Sequence, residues 1–197
     1  PCPVLEIVRD RPLTHDMGEG ADITTDLPRY RVYRDGVFTE ERTDVSDLWQ
    51  PGYVGFLLGC SFSFEEALLS AGIPVRHIEQ GCNVPMFKTS IPTKQAGPFF
   101  GPMVCSMRPM TPEQAEQARR ITAAMPNVHG APVQIGDPAA IGVADVMKPD
   151  YGDPVEIRPG EVPVFWPCGV TPQAAVENAK LPLVITHAPG HMFIADV

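Results

Sequence analysis

Two histidines four residues apart, His187 and His191, have the residue type and spacing to do chemistry. They bracket Ala-Pro-Gly in the stretch "ITHAPGH". Histidines at this spacing on a helix form a metal clip, but Pro189 and Gly190 break a helix, so the stretch is predicted to be a turn. We therefore expect a loop to place both imidazoles at one end of a sheet, and we favour proton transfer over metal binding. A purely structural turn is the alternative.

Further polar groups lie in the same half of the sequence. The stretch "VHGAPVQIGDP" holds His129 and Asp137, the run "EVPVFWPC" begins at Glu161, and "THAPGHMFIAD" ends at Asp196. Histidines and carboxylates are the side chains that most often exchange protons in enzymes. A second explanation stays open for Asp137, because Gly-Asp-Pro forms turns without any function.

Two cysteines, Cys60 and Cys168, each lie three residues before the residue predicted to begin a helix. A thiol at this position is near the positive end of the helix, where a thiolate or a bound anion is favoured. The alternative for each is a small buried residue that closes a strand, since free cysteine is among the most buried residue types. Together the two helix starts predict an anion site.

Three segments carry the signals of a helix start. They begin with Ser63 in "SFEEALLSAG", Thr111 in "TPEQAEQARRITAAM" and Thr171 in "TPQAAVENAK". The hydroxyl of each would cap the helix by accepting an otherwise unpaired backbone N–H. Pro112 at the first helical position and Gln114 as the capping-box partner strengthen the second start.

The predicted helices lie within a pattern that recurs three times. An apolar run of strand length precedes each helix, at residues 53–60, 101–107 and 161–168. A proline and a short apolar stretch follow each helix and end at His77, His129 and His187. The pattern predicts an α/β fold of repeated strand–capped helix–strand units around a mixed sheet, with an internal duplication as one interpretation. A mixed α+β fold is the alternative.

The domain organisation is predicted from the same elements. The stretch "YRVYRDGVF" predicts a hairpin with a strand at Tyr30–Tyr33 and a turn at Asp35-Gly36. We expect residues 1–50 to form an N-terminal hairpin and loop region that packs on an α/β catalytic core of residues 51–197. Two similar halves, 51–110 and 111–197, would make up that core.

Composition excludes several functional classes. The 197 residues carry 15 basic and 24 acidic side chains, for a net charge of -9, which opposes nucleic-acid binding. No apolar run approaches the ~20 residues of a membrane-spanning helix. The five cysteines are odd in number and include no C-x-x-C pair, so a disulfide framework or a zinc ribbon is not expected. We expect a cytoplasmic protein that binds a small anionic molecule at local positive groups.

The sequence resembles the D-glutamate cyclase family, whose bacterial members are often called hydro-lyases. The matching stretches follow one another along nearly the whole chain: "LPRYRVYRDG", "FLLGCSFSFEEALLSAGIPVRHIEQG", "NVPMFKTSIP", "GPMVCSMRP", "VHGAPVQIGDP", "PDYGDPVEIRPGEVPVFWPCGVTPQ" and "ITHAPGHMFIAD". Cys82 stands where the family usually has arginine, and Pro167 where it usually has alanine. Family members also begin with a further segment, rich in Gly, Pro, Gln and Asn, ahead of "PCPVLE".

The resemblance implies an intramolecular dehydration, in which the amine of D-glutamate attacks its own side-chain carboxyl group and yields 5-oxo-D-proline. That chemistry needs a clamp for the α-carboxylate, a base for the ammonium, an acid for the leaving oxygen and donors for the oxyanion. The substrate-binding candidates are Cys60, Ser61, Ser63, Lys88, Arg108 and Thr171. Arg108 and the helix start at Thr111 are expected to share one carboxylate.

The catalytic candidates are His129, His187, His191, Asp137, Glu161 and Cys168. A histidine would act as base with Asp137 or Asp196 as its orienting partner, and a second histidine or Glu161 would act as acid. A thioester through Cys168 is the alternative to direct attack by the amine.

Two other functions stay open at this stage. One is a non-catalytic binding protein for an acidic metabolite, and the other is a metal-dependent hydrolase. No cofactor is predicted, and the need for a divalent metal is left open. The expected partner is a small anionic, amino-acid-like substrate, with no nucleic acid and no membrane, and a homo-oligomer is left open.

Overall fold

The computed structural model describes residues 3–196, so Cys2 lies outside the described residues. None of the helices in this range is long and apolar enough to cross a membrane. The strands are β1 (Val4–Arg9), β2 (Tyr30–Arg34), β3 (Val37–Arg42), β4 (Val54–Leu58), β5 (Met86–Pro92), β6 (Pro102–Met110), β7 (Gln134–Ile135), β8 (Val162–Pro167) and β9 (Val184–His187). The α-helices are α1 (Glu65–Ser70), α2 (Arg76–Gln80), α3 (Pro112–Ala123) and α4 (Thr171–Ala179). Short 3-10 helices form at Ser46–Leu48, Ser61–Phe64, Pro126–Val128 and Pro138–Ile141.

The strands form three sheets, with the orders β1-β4, β3-β2-β9 and β5-β6-β8-β7. Every strand pair among residues 3–196 is antiparallel. The fold is therefore of the α+β class, the second of the two classes that the sequence allowed, and the predicted mixed sheet is wrong. Strands from within residues 3–50 pair with strands from within residues 51–196 in two of the sheets.

The N-terminal hairpin is confirmed as β2 and β3. Asp35 and Gly36 join the strands with φ angles of 51° and 78°, and two positive φ angles suit the tight turns whose twist matches a hairpin. On its other side β2 pairs with β9, and Tyr30 lies opposite His187. His187 is thus at the end of a sheet, as predicted.

The repeated unit is only partly present. A strand precedes each of the three predicted helices, but the segment after the helix is a strand only at β9. His77 lies in α2 and His129 directly follows a 3-10 helix, so the strands predicted to end at these histidines are wrong. Residues 191–196, which follow the predicted turn, have no regular structure.

The helix starts follow the predicted signals at one of three places. Thr111 caps α3 in a capping box with Gln114, as predicted. Ser63 lies inside the 3-10 helix that precedes α1, and its predicted capping role is wrong. Thr171 is the first residue of α4 rather than its cap. Its hydroxyl donates to the carbonyl of Cys168 at 2.8 Å.

The central strand β6 separates the two sides of the four-stranded sheet. Cys105 and Met107 face one apolar cluster, which contains Phe87, Ile141, Val143, Val155 and Phe165. Side chains alternate along a strand, so Val104, Ser106 and Arg108 face the opposite side. On that side β6 meets one cluster with Phe64, Leu68, Ala115 and Trp166, and another with Val84, Cys168, Val170 and Ala174. Ser106 and Arg108 therefore lie on the face of β6 that helices cover.

Candidate active site

A buried polar network joins β6, α1 and α2. We call it the serine–arginine cluster: Ser61, Glu65, His77, Ser106 and Arg108. The Arg108 guanidinium donates to the hydroxyl oxygens of Ser106 (3.0 Å) and Ser61 (3.3 Å) and from Nε to Glu65 Oε1 (2.8 Å). The His77 Nε2 atom lies 3.3 Å from the same carboxylate oxygen. All five residues are at most 6% exposed.

The negative charge of Glu65 explains how Arg108 can be buried. A second bond from its Nη2 atom reaches the Glu65 carboxylate, and the guanidinium stacks over the Phe64 ring at 4.9 Å from the centroid. Burial alone would raise the pKa of Glu65, but the His77 hydrogen bond and the Arg108 charge together hold it below its ordinary value. Since Glu65 occupies the guanidinium, the prediction that Arg108 and the Thr111 helix start share a substrate carboxylate is wrong.

The loops before two helical segments meet beside this cluster. A Cβ on Gly59 would lie 2.0 Å from the carbonyl oxygen of Asn127, so only glycine permits this approach. A Cβ on Gly169 would lie 3.7 Å from the carbonyl oxygen of Gly59. The turns that follow β4 and β8 are therefore neighbours.

The thiols do not have the predicted ionic character. Burial raises the pKa of Cys60, even though the backbone N–H of Phe62 and the charge of Arg108 oppose that shift. A thiolate is therefore not favoured at Cys60. Cys168 is 6% exposed and packs in an apolar cluster with partly buried Phe62 and Tyr151.

A second polar group lies along one side of α4. We call it the lysine–tyrosine cluster: Tyr33, Lys88, Tyr151, Gln173 and Glu177. The Lys88 ammonium lies 3.0 Å from Glu177 Oε2 and 5.5 Å from the centroid of the Tyr151 ring. The hydroxyl of Tyr33 donates to Gln173 Oε1 at 3.4 Å. β2, β5 and α4, together with the loop that holds Tyr151, bring these side chains together.

The electrostatics of this cluster follow from partial burial. Burial would lower the pKa of Lys88, but the hydrogen bond to Glu177, together with Tyr151 and the Glu177 charge, raises that pKa above its ordinary value. Burial, with the Glu177 charge, raises the pKa of Tyr151, and Lys88 opposes the shift. Lys88 is therefore a cation and Tyr151 a neutral phenol at neutral pH.

The first of the two C-terminal histidines is bonded to α4 through its backbone. Gln173 donates from Nε2 to the backbone carbonyl of His187 at 3.0 Å. Burial, with the nearby charges of His191 and Arg31, lowers the pKa of His187 to about 4. His191 Nδ1 lies 3.1 Å from the carbonyl oxygen of Pro189. A carbonyl only accepts, so Nδ1 carries the proton and a neutral His191 presents its lone pair at Nε2.

The remaining predicted carboxylates lie elsewhere. Asp137 is exposed and accepts the backbone N–H of Ala139 at 3.0 Å, which caps a 3-10 helix. Glu161 precedes β8 and accepts from Arg76 Nη2 at 2.5 Å, so it sits beyond the opposite end of β8 from Cys168. The exposed Asp196 donates its backbone N–H to the carbonyl of Met17 at 3.0 Å.

The other predicted residues divide between the clusters. Ser61 and Arg108 belong to the serine–arginine cluster, and Lys88 belongs to the lysine–tyrosine cluster. Ser63 is exposed. His129 follows the Pro126–Val128 turn with a φ of 83°, on the segment whose Asn127 contacts Gly59.

Several residues of the clusters were not predicted, namely Tyr33, Glu65, His77, Ser106, Tyr151, Gln173 and Glu177. Some carried a signal in the sequence. Ser106 and Arg108 alternate on one strand, and Gln173 and Glu177 are one helical turn apart, so each pair shares a face. Glu65 carried no such signal, because Arg108 lies 43 positions away along the chain.

Metal ligands were also sought in the structure. Within residues 3–196, no group of three or more His, Cys, Asp or Glu side chains has an arrangement that could hold a metal ion.

Comparison with known proteins identifies the family. The family model for D-glutamate cyclase matches residues 54–196. The chain belongs to the D-glutamate cyclase family. Similar proteins of Bordetella petrii (59% identical), Geobacillus kaustophilus (59%) and Corynebacterium urealyticum (58%) each bear the name "Putative hydro-lyase". Each alignment covers 100% of this chain and 75% of the relative. This D-glutamate cyclase family member is thus an enzyme of the hydro-lyase class, as predicted.

Proposed function

We propose that this enzyme converts D-glutamate to 5-oxo-D-proline by intramolecular dehydration. The reaction would take place beside α4, between the lysine–tyrosine cluster and the two C-terminal histidines. The family supports the reaction class. The observation that carries the location is the Lys88 ammonium, a cation that is 37% exposed and lies next to a second charge and a phenol.

The proton balance of the reaction defines what the site must supply. The amine nitrogen begins as an ammonium and ends as a lactam N–H, so it loses two protons. The side-chain carboxylate forms a C–N bond and loses one oxygen, which takes up both protons and leaves as water. A group that accepts protons at the nitrogen and returns them to the departing oxygen therefore suffices, with no net proton uptake.

Lys88 is suited to hold the α-carboxylate of the substrate. Its charge is retained at neutral pH, and a charge-assisted hydrogen bond to a carboxylate is roughly twice as strong as a neutral one. Arg108 is less suited, because Glu65 already occupies its guanidinium and it is only 1% exposed. This difference supports Lys88 over Arg108 as the clamp.

His191 is the better candidate for the proton carrier. The Nδ1 hydrogen bond to Pro189 leaves Nε2 as the proton acceptor in the neutral ring. His187, with a pKa of about 4, is neutral at pH 7 and is a weak base, so it can contribute a hydrogen bond rather than a charge. We assign proton transfer to His191 and orientation of the site to His187.

The developing oxyanion needs hydrogen-bond donors that are already in place. Backbone N–H groups at the start of the helical segment after Cys60, and at the start of α4, are the candidates. The two starts lie on neighbouring turns, and the apolar cluster beside them contains Phe62 and Tyr151. Direct attack by the amine stays favoured over a thioester through Cys168, because Cys168 is buried in an apolar cluster.

The test is to follow D-glutamate loss and 5-oxoproline formation by NMR, with L-glutamate as the second substrate. We expect Lys88→Met and His191→Gln to lower turnover by at least tenfold. Lys148→Met is the matched control, since Lys148 is 83% exposed and pairs within its own turn with Asp145. If the wild-type enzyme binds D-glutamate but never converts it, with or without a divalent metal, the proposal fails and a binding function replaces it.

A further inference from the structure

We infer that the ion pair of Lys88 and Glu177 recognises the amino-acid end of the substrate as a unit. Glu177 would bind the α-ammonium while Lys88 binds the adjacent α-carboxylate. The inference rests on the proposed function for the identity of the ligand. It adds a specificity-determining residue, Glu177, that selects substrates with a free amino group.

The exposure of this pair sets it apart from the buried pairs. Lys88 and Glu177 are 37% and 34% exposed, and they join β5 to α4 across 89 positions. The guanidinium groups of Arg76 and Arg108 are 1% exposed and closed to a ligand. The pair of Lys148 and Asp145 is mostly solvated and lies within a single turn. Lys88 and Glu177 are thus accessible to a ligand yet partly removed from water, where charge recognition is stronger.

Charge complementarity identifies the ligand class. An α-amino acid carries a positive and a negative group on neighbouring atoms, in the opposite sense to the protein pair. When it binds, each charge exchanges one opposite partner for another, so no charge is left unpaired in a partly desolvated site. A dicarboxylate of the same length without the amine would bring a neutral methylene to Glu177 while competing for Lys88. The site should therefore reject it.

Tyr151 supplies an independent observation that points to a ligand. Its buried hydroxyl oxygen neighbours the Lys88 ammonium, which can only donate, and its O–H has no acceptor among the described residues. The Lys88 ammonium lies over the ring of this tyrosine, at 5.5 Å from the centroid. A buried O–H without an acceptor costs free energy, and a substrate carboxylate held by Lys88 would provide that acceptor.

Gln173 fixes the position of Glu177 relative to the histidines. It lies one helical turn before Glu177 on α4, donates to the His187 carbonyl at 3.0 Å and accepts from Tyr33 at 3.4 Å. Because these bonds hold the helix face in place, a substrate ammonium at Glu177 would lie on the side of α4 that bonds to the backbone of β9.

Binding measurements with two ligands test this inference. D-Glutamate and glutarate, which lacks only the amine, are titrated calorimetrically into protein carrying His191→Gln, a background that slows turnover and leaves the ion pair intact. We expect D-glutamate to bind about ten- to a hundredfold more tightly than glutarate, the range of a charge-assisted hydrogen bond. Adding Glu177→Gln should remove this preference by weakening D-glutamate binding alone, and Glu177→Asp should restore part of it. Asp145→Asn is the matched control and should preserve the preference.

Two results would overturn the inference. One is equal affinity for both ligands, or binding of neither, in the His191→Gln background. The other is a Glu177→Gln effect that weakens both ligands equally, which would mean that Glu177 only holds Lys88. Failure of the proposed function has a different signature. In that case the wild-type protein forms no 5-oxoproline, yet the preference for the amino acid persists.

Discussion

The carboxylate of Glu65 is the most informative single charge to remove. It is 6% exposed at the start of α1 and provides the counter-charge of Arg108, which is 1% exposed. Glu65→Gln preserves the size of the side chain and one acceptor oxygen but removes the charge. Arg108 would then be buried without an anionic partner, while its bonds to Ser61 and Ser106 would remain.

The expected cost follows from this burial. Breaking a buried ion pair by removing one partner typically costs about 3–5 kcal/mol. The retained acceptor oxygen of glutamine places this variant at the lower end, at about 3 kcal/mol. For a chain of this size, 1 kcal/mol corresponds to roughly 2–4 °C in Tm, so the melting temperature should fall by about 6–12 °C.

Urea unfolding at pH 7 measures this cost, with Glu66→Gln as the matched control. Glu66 is the next residue on the same helix and is exposed, so its replacement should change the free energy of unfolding by less than about 0.5 kcal/mol. If the free energies of unfolding of the two variants differ by less than about 0.5 kcal/mol, the charge of Glu65 does not stabilise the buried Arg108.

The pH dependence of the same comparison gives a second check. The pKa of Glu65 is lower in the folded protein than its ordinary value of 4.5. The folded state therefore binds this proton less tightly than the unfolded state does. The stabilisation is fully present above pH 4.5 and is lost as the pH falls through the folded pKa. The difference between wild type and Glu65→Gln should shrink over that acid range.

Three further predictions test the local structure. Thr111→Ala removes a capping box and should lower the free energy of unfolding in urea by about 1 kcal/mol. Ser63→Ala should change it by less than about 0.5 kcal/mol, and equal losses in the two variants would contradict the cap assignment. In an NMR titration His187 should show a pKa of about 4. Because this pKa is lower in the folded than in the unfolded protein, stability should fall as the pH drops below 6.5. A midpoint near 6.5 would refute the burial of His187. Glu6 accepts three backbone N–H groups, so Glu6→Gln should cost about 1–3 kcal/mol, with the exposed Glu19→Gln as control.

Local signals predicted the elements better than their assembly. The cap at Thr111 was predicted correctly because Thr111 and Gln114, three residues apart, form a capping box together. Ser63 was followed three residues later by Glu66, and Thr171 was followed by Pro172, yet each occupies another position in its turn. The segments ending at His77 and His129 were predicted as strands because apolar residues after a proline fit either a strand or a helical turn, and only tertiary contacts decide between them.

Residue type predicted parts of the site, and distance along the chain concealed the rest. Arg108 and Lys88 were candidates because a substrate carboxylate needs a cation. Their own partners, Glu65 and Glu177, lie 43 and 89 positions away, and pairing across such separations depends on strand order and register.

The central claim is the dehydration of D-glutamate, and isotope labelling tests it most directly. D-Glutamate with ¹⁸O in both side-chain carboxyl oxygens is incubated with the enzyme and with the Lys88→Met variant, and the product is analysed by mass spectrometry. The account predicts 5-oxo-D-proline that retains one labelled oxygen, formed by the wild-type enzyme and strongly reduced with Lys88→Met. Unchanged D-glutamate after prolonged incubation with a wild-type enzyme that binds it would contradict the account.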